Sequence, residues 1–145
     1  MIIVDSMLGK LARYLRMIGY DVEYIGNDKD DSYIISISKD KLILTRDKQL
    51  HERLDNSILL KSYSPIEQLA ELRDRLPPVE HGFMELCSLC GGVVERTQVR
   101  SDLPDYVSKQ ATEIFYCKSC DKYYWNGSHT DNFRKMLERI GYEVH

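Results

Sequence analysis

Met1-Ile2-Ile3-Val4-Asp5-Ser6-Met7-Leu8-Gly9-Lys10-Leu11-Ala12-Arg13-Tyr14-Leu15-Arg16-Met17-Ile18-Gly19-Tyr20-Asp21-Val22 is the stretch that decides the fold. Ile2, Ile3 and Val4 form an apolar run without alternation, the pattern of a strand buried on both faces. Asp5 ends the run, and Leu8, Leu11, Ala12, Leu15 and Ile18 then recur at helical spacing up to Gly19, a left-handed cap residue. An acid at the carboxyl end of a buried first strand, directly before a helix, stands where open α/β sheets place their chemistry.

The same alternation continues outward. Asp21 to Ile25 reads as a second strand, followed by the acidic loop Gly26-Asn27-Asp28-Lys29-Asp30-Asp31 and a helix in which Ile34, Ile35 and Ser38 share a face. Leu42 to Thr45 reads as a third buried strand, Lys48 to Leu54 as a short helix and Ile58 to Leu60 as a fourth strand. Ser64-Pro65-Ile66-Glu67 is a helix start with a capping box, and that helix is expected to run to about Leu76, before Pro77-Pro78. Such alternation with tight connections implies βαβ units and a mainly parallel sheet of about four strands. The expected fold class is therefore α/β.

In a parallel sheet Asp5, the acids Asp28, Asp30 and Asp31, and Asp47 all fall at the carboxyl edge. Three acids in the second loop exceed what helix capping needs, and clustered like charges are best tolerated around a cation. Hard oxygen ligands suit Mg²⁺ or Mn²⁺, which can polarise a phosphodiester and deliver a hydroxide. Lys10, Arg13 and Arg16 follow at three-residue steps opposite the apolar stripe of the first helix. They read either as a solvated face or as a ridge for a nucleic-acid backbone.

Charge and composition bound the rest. The chain has 145 residues, a net charge of −3 and 43% hydrophobic residues. That suits one domain with a small appendage and argues against a broad electrostatic clamp on nucleic acid. No apolar run reaches the ~18 residues of a membrane span, and no secretory signal is visible, so the expected compartment is the cytoplasm. Cys87-Ser88-Leu89-Cys90-Gly91-Gly92 and Cys117-Lys118-Ser119-Cys120 are two metal knuckles, which together complete a closed tetrahedral Cys₄ site. Zinc in a structural ribbon is the first expectation, and rubredoxin-like iron its rival. Val93-Val94 and Glu113 to Tyr116 read as ribbon strands, with a loop around Ser101 to Asp105 absorbing the long gap. Tyr123-Tyr124-Trp125 could stack on unpaired bases or pack beneath the ribbon. A last helix carries Phe133, Met136, Leu137 and Ile140 on one stripe.

The run Val4 to Arg16, the acidic loop and Leu44-Thr45-Arg46-Asp47 together resemble the Mut-seven C-terminal RNase domain family, a branch of the PIN-like nucleases. The resemblance covers nearly the whole chain. It implies a three-layer PIN-like nuclease domain over residues 1–78, a zinc ribbon over 85–130 and a C-terminal helix over 131–145 that packs back on the body. It implies cleavage of single-stranded RNA with Mg²⁺ or Mn²⁺. Asp5, Asp31 and Asp47 stand at the family's acidic positions, with Asp28 and Asp30 as substitutes. Asp31-Ser32-Tyr33-Ile34 fits the Asp-x-x-Ile helix start of PIN-like relatives. Trp125 and His129 match a Tyr-Trp-x-Gly-Ser-His motif and, with Lys10, Arg13, Arg16 and Arg46, are the candidates for substrate contact. The sequence departs from many relatives at Lys48, where they carry a second acid. The alternative function is a non-catalytic RNA- or ribosome-binding zinc-ribbon protein.

Overall fold

The computed structural model describes residues 1–98 and 113–144. The chain runs β1 (Ile2–Val4), a 3₁₀ turn (Ser6–Leu8), α1 (Gly9–Ile18), β2 (Val22–Tyr24), α2 (Asp31–Ile37), β3 (Leu42–Thr45), α3 (Lys48–Glu52), β4 (Ser57–Leu59) and α4 (Pro65–Leu72). The ribbon strands β5 (Glu95–Thr97), β6 (Ile114–Cys117) and β7 (Lys122–Trp125) follow, then α5 (Ser128–Arg139). The first sheet has the order β2-β1-β3-β4, and its pairings are all parallel. β5, β6 and β7 pair antiparallel in a second sheet.

Strand residues of the first sheet alternate between two apolar layers, so the unbroken apolar runs mean burial on both faces. Ile2, Val4, Leu44 and Ile58 pack on one side against Leu11 and Leu15 of α1, Leu69 and Leu72 of α4, and Phe133 and Leu137 of α5. Ile3 and Ile43 face the other way, onto Ile34 of α2 and Leu50 of α3. The result is three layers. α5 closes the first layer although the whole ribbon separates it from α4 in sequence.

Helix starts and the sheet edge are made by the same side chains. Asp5 accepts from Met7 N at 3.2 Å, Asp30 from Tyr33 N at 2.9 Å, and Asp47 from Gln49 N at 2.9 Å and Leu50 N at 3.2 Å. Ser64 caps α4 through Glu67 N at 3.2 Å. Each such cap contributes about 1 kcal/mol. α4 ends at Leu72, short of the expected Leu76.

The helix exits 15–22 and 137–144 are similar in sequence and share a cap. Tyr20 N–H returns to the Leu15 carbonyl at 3.0 Å and Tyr142 N–H to the Leu137 carbonyl at 2.9 Å, around Gly19 and Gly141 at φ 124° and 99°. Both tyrosines then reach back, Tyr20 Oη to Pro77 O at 2.9 Å and Tyr142 Oη to Leu69 O at 2.6 Å. A Cβ on Gly19 would fall on the His81 carbonyl oxygen, far inside van der Waals contact. Gly19→Ala is expected to cost about 3 kcal/mol, combining left-handed strain with the clash. Urea denaturation with an unchanged slope checks this.

The stretch after Pro77-Pro78, linker-like in sequence, is fastened to α1. His81 N donates to Gly19 O at 3.1 Å, Met84 N to Met17 O at 2.9 Å, and Phe83 packs on the main core. Proline and polar composition mark the turn there but not the docking beyond it. In the ribbon, Val93 makes only an isolated bridge to Leu86, and the strand lies at Glu95–Thr97. The loop expected around Ser101 to Asp105 lies outside the described residues.

Candidate functional site

Strand order 2-1-3-4 puts the topological switch between β1 and β3, the crevice where open α/β sheets bind ligands. Asp5 leaves β1 at that point. It is 6% exposed, and its Oδ2 accepts a hydrogen bond from the hydroxyl of fully buried Thr45, the last residue of β3. Thr45 Oγ1 in turn accepts from Asp47 N at 3.0 Å. One threonine therefore fixes both carboxylate-bearing loops, and the register Val4↔Leu44 brings the two strand ends level.

Burial raises the pKa of Asp5 above its ordinary value. Hydrogen bonds from Thr45 and Met7 pull it down, while the carboxylates of Asp47 and Asp31 push it further up. Asp31 and Asp47 thus act on Asp5 through space, and both are half-buried. Asp28 and Asp30 are exposed, and Asp30 uses its Oδ1 to cap α2. Asp47 uses Oδ1 for both of its caps, and its Oδ2 makes no hydrogen bond among the described residues. Lys48, exposed at the start of α3, takes no part in these contacts.

Lys10 and Arg13 are exposed along α1. Arg16 is not. At 6% exposure it lies under the cysteine knuckle, donating from Nε and Nη2 to Val22 O at 3.1 and 2.8 Å and from Nη1 to Ser88 O and Leu89 O at 3.3 and 2.9 Å. The three-residue step placed it with Lys10 and Arg13, yet the ribbon covers that end of the helix. Arg16 joins sheet to ribbon instead of lining a surface ridge. Arg46 is half-buried beside Asp47, and its guanidinium lies against the ring of Tyr63. Trp125 ends β7, and exposed His129 sits in the first turn of α5, so the ribbon module positions both.

Cys87, Cys90, Cys117 and Cys120 bring four sulfurs within 4.8 Å of one another. Two pairs lie at 3.9 Å (Cys87–Cys120) and 3.6 Å (Cys90–Cys117), and none of the four is in a disulfide. A tetrahedron with metal–sulfur bonds of about 2.3 Å has edges of about 3.8 Å, so the cluster can hold a metal such as zinc. Tyr124 Oη lies 3.0 Å from Cys87 Sγ. Burial raises the Cys87 thiol, but hydrogen bonding, led by that hydroxyl, overrides it and brings the thiol down to about 6. Tyr124 is therefore an outer support of the cysteine cluster, a role its place in an aromatic run did not reveal. Among the described residues no other group of three metal-ligating side chains is drawn that close.

No helix among the described residues is long and apolar enough to cross a membrane. No curated protein and no solved structure matches the chain. The family of the Mut7-C RNAse domain matches residues 1–137. With that domain spanning nearly all of its length, the chain belongs to the Mut7-C RNAse domain family.

Proposed function

We propose that the protein is a ribonuclease that cleaves phosphodiester bonds of single-stranded RNA at the Asp5 edge, using Mg²⁺ or Mn²⁺ held by Asp5, Asp31 and Asp47. The observation that carries this reading is the buried Asp5 carboxylate, fixed by Thr45 at the switch point and raised further by Asp47 and Asp31. Carboxylates that repel one another at one sheet edge supply the hard oxygen donors that suit a divalent cation. When bound, the ion would supply Lewis-acid polarisation of the phosphate and a water of lowered pKa.

The chain's own residues do the positioning. Thr45 holds Asp5 in one orientation, and the α3 amides hold Asp47 by Oδ1 while leaving Oδ2 for a ligand. Exposed Lys10 and Arg13 supply positive charge on α1 for flanking phosphates. The Cys₄ cluster, with zinc as its metal, is structural, because four thiolates leave no open position. Cysteines gathered as a metal cluster rather than paired in disulfides fit a cytoplasmic protein.

A cleavage assay on labelled single-stranded RNA, with Mn²⁺ and Mg²⁺ titrations and an EDTA control, tests the reading. Cleavage that rises with metal and stops in EDTA is the expected result. Tight RNA binding without metal-dependent cleavage would instead favour the non-catalytic alternative.

A further inference from the structure

Tyr63, just beyond β4, is 83% exposed. The guanidinium carbon of Arg46 lies 3.8 Å from its ring centroid, within the range of a cation–π contact. Arg46 directly follows Thr45, so the pair adjoins Asp5, Thr45 and Asp47 at the carboxyl edge. The Arg46 side chain makes no hydrogen bond among the described residues, and its Nε is buried without a partner. An arginine normally engages its planar fork of donors with carboxylates, carbonyls or phosphates. Here its anchor is the ring.

The turn that presents the ring is stiff. Lys61 N and Ser62 N donate to the two oxygens of Glu71 at 3.0 and 2.8 Å, and buried Gln68 donates from Nε2 to Ser62 O at 3.0 Å. Desolvation raises Glu71, but hydrogen bonds from Ser62 and Lys61 outweigh it and hold this carboxyl below its ordinary value. On the other side of Tyr63, Ser64 is locked as the cap of α4. The backbone is therefore fixed on both sides of a ring that stands in water. A tyrosine with a purely structural role would bury its ring or bond its hydroxyl, and this one does neither among the described residues.

We infer that Tyr63, backed by Arg46, is a stacking platform for an unpaired base beside the phosphodiester at Asp5. This inference rests on the ribonuclease reading above. The ring is held by Arg46, the residue after Thr45, whose hydroxyl bonds Asp5, and this adjacency suits a base near the scissile phosphate. The free face of the ring takes the base, and the guanidinium behind it keeps the ring in place. Stacking reads the face of a base and not its edge, so the platform selects unpaired RNA with little sequence preference. A duplex, whose bases are already stacked and paired, gains nothing from it.

The test uses the full chain with Mn²⁺ and labelled single-stranded RNA, in which one abasic nucleotide is moved along the strand. Wild-type protein is expected to show a raised KM when the abasic nucleotide occupies one particular position near the cut. Tyr63→Ala is expected to raise KM for intact RNA by about tenfold to a hundredfold, with a smaller change in kcat, and to be indifferent to that abasic position. Tyr63→Phe and Tyr63→Trp should keep the wild-type KM. If wild-type protein cleaves but responds to no abasic position, the platform is wrong and the ribonuclease reading stands, whatever the folding of the variants. If wild-type protein neither cleaves nor binds RNA, the reading fails and the platform with it.

Discussion

Asp5→Asn is expected to lower metal-dependent RNA cleavage by more than about a hundredfold while raising the melting temperature of the metal-free protein. The size of the first effect follows from the role of the group. Losing an outer support of a metal ligand already costs about 10–100-fold, and Asp5 is proposed as a ligand itself. The sign of the second follows from linkage. Burial and the carboxylates of Asp47 and Asp31 raise Asp5 in the folded chain, so the folded state binds this proton more tightly than the unfolded one. The contribution of Asp5 to stability therefore grows as pH falls through its folded pKa, and above that pKa the ionised carboxylate costs stability. Asparagine removes that cost and can still accept the hydroxyl of Thr45. Activity follows the opposite trend, because the ligand must be ionised and the raised Asp5 lets protons compete with the metal, so the metal concentration needed for cleavage should rise on acidification. Melting curves with and without metal and a pH profile of cleavage check all three. Wild-type activity in Asp5→Asn would remove Asp5 from the mechanism, and a lowered melting temperature would contradict the electrostatic account.

Removing the metal from the cysteine cluster, by a strong chelator or by Cys117→Ser, is expected to unfold the ribbon and destabilise the rest. Structural zinc contributes on the order of 10 kcal/mol of apparent binding free energy, and a small three-stranded sheet has little core of its own to replace it. Beyond the cysteines, its cluster contains one further buried side chain, Val94. The loss should not stay local. Arg16 is held by Ser88 and Leu89 on the knuckle and by Val22 on β2, so an unravelled knuckle strips two of its three acceptors. A buried guanidinium left short of partners is costly. α5, reached only through the ribbon, supplies Phe133 and Leu137 to the main core. Hydrogen exchange should accelerate first in β5, β6 and β7 and then in β2 and α5, with β1 and β3 protected longest. Elemental analysis of the purified protein decides the metal, and iron in place of zinc would make the ribbon rubredoxin-like. Unchanged exchange in the ribbon after chelation would mean the cluster is not its organising element.

Sequence alone determined the elements whose cause is local. Apolar runs at Ile2–Val4 and Leu42–Thr45 became central parallel strands, because only strands covered on both faces lack alternation. Once the sheet is parallel, Asp5, Asp31 and Asp47 fall at its carboxyl edge, and the two Cys-x-x-Cys knuckles bring their four sulfurs together. Helix periodicity failed at Arg16, which shares the spacing of Lys10 and Arg13 but lies beneath residues over seventy positions away. Spacing reports which face of a helix a residue is on, and only packing reports what covers that face. The Thr45–Asp5 bond, the Tyr124 hydroxyl on Cys87 and the Arg46–Tyr63 contact belong to the same class. Each joins side chains from separate elements across a span no periodic pattern encodes. The first stretch therefore fixed where Asp5 stands in the sheet, and the tertiary structure decided which neighbours hold it in place and raise its pKa.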